Sequence, residues 1–206
     1  MKVLFVIRSV GYIRVYKSIL RALSEKGAHI VAVFDPREFD AAALDYLKEL
    51  ALEIPLFSYR RGHRRSVWKR PLRFVRGILH YRRFLRVPQQ SEFFVRHWRR
   101  YLPDTVRWAV TKFPFLDKVI ASEIAGRVLS FFEQSAPLEP LIMKQITEIR
   151  PDIAVIAYRS QPSSSPDLDY LKVAKALGIP TVIPNPSWDS LSSRGLMIVA
   201  PDRVFV

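Results

Sequence analysis

The chain has no cysteine, and only seven glycines and four histidines in 206 residues. Without cysteine there is no disulfide framework, no thiol nucleophile and no zinc site built on thiolates, and the composition agrees with a reducing cytoplasm. His29, His63, His80 and His97 stand in separate segments without metal-ligand spacing, so no bound metal is expected. No uninterrupted apolar run approaches the ~20 residues that cross a bilayer. The opening run Val3-Leu4-Phe5-Val6-Ile7 is interrupted by Arg8 and lacks a following small-residue cleavage site, which excludes a secretory signal reading. A cytoplasmic protein is expected, peripheral on the inner face of the membrane at most.

Acidic residues are also scarce, 19 against 33 Lys and Arg, for a formal net charge of +14. The imbalance is local. Between Tyr59 and Arg107 there are fifteen Lys and Arg against two acids, Glu92 and Asp104, and the rest of the chain is nearly neutral. The basicity therefore needs a local explanation.

What is present is an α/β pattern. Val3 to Ile7 is a β-branched apolar run of the kind buried on both faces of a parallel sheet. After Gly11, the residues Ile13, Tyr16, Ile19, Leu20 and Leu23 recur at helical spacing until Gly27 stops them. His29 to Phe34 reads as a second strand, Ala41 to Leu50 as a helix and Glu53 to Phe57 as a third strand, a β-α-β-α-β opening. The pattern resumes with a helix over Leu138 to Ile149, a strand over Ile153 to Ala157, a helix from Asp167 to Leu177 ended by Gly178, and a strand over Ile179 to Ile183. Arg203 to Val206 begins another apolar run. The expected fold is Rossmann-like, a largely parallel sheet with flanking helices, forming one domain over 1–206 with a basic helical insertion at about 59–134.

Within that insertion Trp68, Leu72, Val75 and Leu79 lie beside Pro71, Phe74, Ile78, Tyr81 and Leu85 to make a broad apolar helix face. Lys69, Arg73, Arg76, His80 and Arg83 repeat along a neighbouring strip. The strip has three readings: a solvated face, contact with an anionic membrane or lipid-linked substrate, and nucleic acid. The last is disfavoured, because no recognised nucleic-acid module accompanies the charge. For membrane or anion contact the candidates are Lys69, Arg73, Arg76 and Arg83.

A Rossmann opening invites a dinucleotide, but Arg8-Ser9-Val10-Gly11-Tyr12-Ile13 has one glycine where the fingerprint needs three, and no Walker loop is present. No cofactor is expected, and Asp35 before Pro36 reads as a turn residue. Gly11 and Arg14 stand where strand one meets its helix, either as ligand contacts or as a relaxed loop with a solvated arginine. The closing stretch Ser187-Trp188-Asp189-Ser190-Leu191-Ser192-Ser193-Arg194-Gly195, followed by Pro201-Asp202, lies beyond a strand's C-terminal end, where open α/β sheets keep ligands. Its alternative is a capped turn anchored by Trp188.

Gly11-Tyr12-Ile13-Arg14 together with Ser187 to Gly195 and Pro201-Asp202 resembles the N-terminal Rossmann-like domain of bacterial GT-B-type glycosyltransferase-like proteins. Ser190 stands where the family pattern has Asn, and Arg194 where it has Lys. The resemblance implies transfer of a sugar from a nucleotide-sugar to a saccharide or lipid-linked acceptor in polysaccharide or glycoconjugate assembly. It also implies that most donor contacts come from a second, C-terminal domain lying beyond this chain. Asp189 is then the candidate base. Arg14, Arg159 and Arg194 are candidate anion contacts, and Gly11, Tyr12, Ser187, Trp188, Ser192 and Ser193 complete the substrate-binding set. The competing class is a non-catalytic module that engages an anionic membrane or other polyanion through its basic helices. A nucleotide-binding regulator is a weaker third.

Overall fold

The computed structural model describes residues 1–7, 10–34, 56–58, 68–87, 92–157, 166–186 and 196–205. Six strands form one sheet: β1 (Lys2–Val6), β2 (His29–Phe34), β3 (Leu56–Ser58), β4 (Ile153–Ile156), β5 (Thr181–Pro184) and β6 (Arg203–Phe205). Their order is β3-β2-β1-β4-β5-β6, and every pairing is parallel. The expected Rossmann-like α/β fold is thus the observed one. The apolar run at Arg203 completes the edge of the sheet.

Parallel strands joined by helical crossovers are covered on both faces, which is why β1 reads as a continuous apolar run. Alternate side chains serve the two layers. Leu4 and Val6 pack with Val31, Ile156, Ile146 and Leu171 on one face, while Val3 and Phe5 pack with Ile13, Tyr16, Leu20 and Ile30 on the other. Helix α1 (Lys17–Glu25) covers the second face, and α7 (Pro140–Ile149) and α8 (Asp167–Ala176) cover the first. Each large side chain fully removed from water contributes about 1.5–3 kcal/mol.

The expected helix after β1 starts differently. Val10–Tyr16 is a 3-10 turn and the α-helix begins at Lys17. A three-residue repeat puts Ile13 and Tyr16 on one side, and the α-helical step from Tyr16 to Leu20 continues the buried row. Gly27 and Gly178 end α1 and α8 at φ +72° and +70°, a conformation that costs a side chain but not glycine. β5 begins at Thr181, two residues later than expected. Pro180 has no amide to donate, and its carbonyl instead accepts from Ala154 N at 2.9 Å. Of the third strand, Leu56–Ser58 is seen; the helix expected over Ala41 to Leu50 lies outside the described residues.

The β3-to-β4 connection carries α2 (Lys69–Arg86), α3 (Glu92–Arg99), α4 (Asp104–Lys112), α5 (Phe115–Ala121) and α6 (Glu123–Ser135). These helices have a core of their own around Ile78, Tyr81, Phe84, Trp98, Leu102 and Val110. Phe84 stacks on Trp98 at 4.9 Å between centroids. Tyr81 donates to Asp117 Oδ1 at 2.9 Å and accepts from Arg99 Nε at 3.1 Å, while Arg99 Nη2 reaches Asp117 Oδ2 at 2.8 Å. One side-chain triad therefore ties α2, α3 and α5.

Candidate functional site

The sheet order reverses between β1 and β4. Ile7 N donates to Val33 O at 2.8 Å and Ala157 N to Val6 O at 2.9 Å. Of the helices that follow these strands, α1 packs on one face and α8 on the opposite face. Open α/β sheets hold ligands in the crevice that such an arrangement leaves at the strands' C-terminal ends.

Tyr16 crosses this edge. Its ring lies edge-on to Phe5 at 5.5 Å, it is buried, and its hydroxyl donates to Pro184 O at 3.4 Å. The bond is long for O–H···O and therefore weak. It nevertheless brings the segment holding Gly11, Tyr12 and Arg14 to the end of β5, 168 residues away in sequence. Tyr12 is half-buried against the α1-side core, and Arg14 is exposed on the 3-10 turn. Asp189, Ser187, Trp188, Ser192, Ser193, Arg194 and Arg159 lie outside the described residues. A dinucleotide's pyrophosphate seat, an α-helix N-terminus directly after β1, is replaced here by the 3-10 turn.

The Pro201-Asp202 part of the closing pattern acts at the other end of the sheet. Asp202 Oδ2 accepts from Thr181 N and from Thr181 Oγ1, both at 2.7 Å, and Lys175 Nζ donates to its Oδ1 at 3.1 Å. The Thr181 hydroxyl and amide, with Lys175, hold the Asp202 carboxyl down at about 2. Its work is to join β6 to the start of β5.

The basic strip of α2 divides in two. Arg73 is exposed, and the Lys69 side chain lies outside what is described. Arg83 is half-buried with its guanidinium 5.7 Å from the Phe84 ring centre. Arg76 departs from the expected outward strip. Its Nη2 donates to Glu133 Oε1 at 3.0 Å and Asp169 Oδ1 at 2.7 Å, and its Nε to Glu133 Oε2 at 3.2 Å. Lys172 Nζ adds bonds to Glu133 Oε1 at 3.2 Å and to its carbonyl at 2.6 Å. Burial by itself would lower the Arg76 pKa, but Asp169 and Glu133 outweigh it and the net direction is upward. Arg76 is thus a joint between α2, α6 and α8, its anionic partners being internal.

His80 is also inside, 2% exposed and stacked on Trp98 at 5.7 Å. Burial first, then the charges of Arg76 and Arg83, push its imidazole down to about 3. Its Nδ1 and the Trp98 Nε1 have no hydrogen-bond partner among the described residues. All three readings of the strip, as a solvated face or as contact with a membrane or nucleic acid, place it outward, as periodicity within one helix implies. α2 is instead flanked by α3, α5 and α6, and it reaches α8 through Arg76.

The insertion also carries outward cations outside this strip. Every carboxylate from 92 to 135 is held by the protein's own bases: Glu92 by Arg96, Asp104 by Arg107, Asp117 by Arg99, Glu123 by Arg86 and Arg82, and Glu133 as described. Arg100, Lys112, Lys118 and Arg127 are exposed with no carboxylate partner among the described residues. Trp108 and Phe115 are 62% and 61% exposed, and Lys112 Nζ lies over the Trp108 ring. These residues lie outside the basic strip read from helical periodicity. The available signal was the stretch 105–116, aromatic-rich and without a single acid.

Among the described residues no helix is long and apolar enough to cross a membrane. Comparison of the chain with protein-family models, curated proteins and solved structures gives no match.

Proposed function

We propose that the chain is the acceptor-side Rossmann-like domain of a glycosyltransferase, binding a saccharide or lipid-linked acceptor at the C-terminal edge of its sheet. The observation that carries this reading is the Tyr16 to Pro184 contact. It ties Tyr16, two residues after Gly11 to Arg14, to Pro184 at the end of β5, three residues before Ser187 in sequence, and so supports reading the two segments of the family resemblance together. In this reading Asp189 takes the acceptor hydroxyl proton, and Arg14, Arg159 and Arg194 meet phosphate or carboxylate groups of the substrates. The nucleotide-sugar is contacted mainly by a second domain, as the resemblance implies.

The test has two measurements. Amide shifts of the labelled chain, titrated with saccharide acceptors, are expected to move at Tyr12, Arg14 and Asn185. Asp189→Asn, in a protein that also carries the donor domain, is expected to lose sugar transfer at an unchanged melting temperature. Retained transfer with a large fall in melting would return Asp189 to a capping role. Shifts confined to the helical insertion would instead favour a non-catalytic module that engages an anionic membrane or polyanion, a reading supported by the unpaired cations of that insertion.

A further inference from the structure

We propose that the turn joining α4 to α5 is a docking tip that enters the headgroup layer of an anionic lipid bilayer. Trp108, Phe113 and Phe115 form an exposed ridge there, with successive ring centres 6.3 Å and 6.1 Å apart. Three adjoining aromatic rings in water mark a surface that another phase covers. Lys112 arches over the ridge, its Nζ 5.1 Å from the Trp108 ring centre and 5.6 Å from that of Phe113. A lysine stem on apolar surface with its ammonium at ring level suits rings at the acyl boundary and a charge at the phosphates.

The electrostatics agree. Residues 105–116 contain no acid, and the flanking Asp104 and Asp117 are each occupied by an arginine. Lys118, one turn into α5, adds an exposed charge with no carboxylate partner among the described residues. Protein interfaces deplete lysine from their aromatic centres, whereas here it sits in the middle of the ridge. Single-stranded nucleic acid prefers ring faces on which successive bases stack. The Trp108–Phe113 and Phe113–Phe115 planes meet at 86° and 56°, so the ridge offers no run of parallel platforms. The inference is compatible with the transferase reading and, under the membrane-module reading, names the surface that meets the bilayer.

Sedimentation with vesicles of phosphatidylcholine alone, or mixed with phosphatidylglycerol, tests it. The chain should bind the mixed vesicles, bind the neutral ones far less, and be released by salt, since screening acts within roughly 10 Å at 0.1 M. Trp108→Ser with Phe115→Ser, and separately Lys112→Glu with Lys118→Glu, should each weaken binding about tenfold or more. Both pairs are exposed, so melting should not change. Ile124→Ser with Phe131→Ser, also exposed but on α6, should leave binding intact. Brominated lipids should quench tryptophan emission in the parent chain and much less in Trp108→Ser. The proposal is overturned by absent binding to the mixed vesicles or by binding that neither ridge variant weakens. It is equally overturned if a single-stranded oligonucleotide displaces the vesicles through the same residues.

Discussion

Around β1 and β4, the side chains of Val3, Leu4, Phe5, Val6, Ala154 and Ile156 are shut away from water among apolar neighbours. In the helical insertion, the space next to Tyr81, Phe84 and Trp98 also takes in His80, and Glu133 is fully buried between Arg76 and Lys172. The first region is held by burial that does not titrate. The second spends burial on ionisable groups and depends on their charge states. A sheet covered on both faces can exclude polar atoms because its ladder satisfies the backbone. Where the insertion joins α8, Arg76 and Lys172 instead meet Glu133 between helices.

The largest separation between the regions is expected at the joint. Glu133→Ala leaves the Arg76 and Lys172 charges without their shared partner and should cost about 3–5 kcal/mol. Hydrogen exchange should show residues 69–135 losing protection while β1 and β4 keep theirs. A loss below ~1 kcal/mol would mean that the insertion is held by its apolar contacts alone. In the sheet, Leu4→Ala should cost about 2–5 kcal/mol and lower protection at β1 and β4 more than in the insertion, which has its own core.

Acid should distinguish the regions by window. The folded His80 pKa of about 3 lies below the ordinary histidine value of 6.5, so its contribution is complete above 6.5. It is lost as pH falls toward 3, because only the unfolded chain takes up the proton. The slope is on the order of 1 kcal/mol per pH unit. Chemical unfolding followed between pH 6.5 and 5, above the main carboxylate range, should show it, and His80→Phe should flatten it. At the β5–β6 edge, Asp202 is lowered from 3.8 to about 2, chiefly by its bonds to Thr181. Its contribution is present above 3.8 and fades as pH falls through about 2, so this edge should resist acid longer than the insertion. Exchange at the Thr181 and Asp202 amides reads that order directly.

The smallest effect concerns a helix start. Ser122 Oγ accepts from Ala125 N at 3.2 Å at the head of α6, and Ser122→Ala should cost about 1 kcal/mol. Melting should fall slightly with no change in the sheet's exchange.

Much of the sheet was legible along the chain. Apolar runs at Val3, His29 and Ile153 became β1, β2 and β4, and Gly27 and Gly178 ended their helices, because burial on two faces and a left-handed turn both leave marks on neighbouring residues. The candidate site was legible only as two motifs. That the turn after β1 meets the end of β5, through Tyr16 and Pro184, is a relation that no local spacing contains. The basic strip shows the same limit. Helical periodicity correctly grouped Arg73, Arg76 and His80, yet only the third dimension decided which of them face water. Arg76 is neutralised by Glu133 and Asp169, 57 and 93 residues further along, and His80 is enclosed by Trp98 of another helix. Local sequence determines which residues share a face. Whether that face meets solvent is decided by the distant carboxylates and rings that folding brings against it.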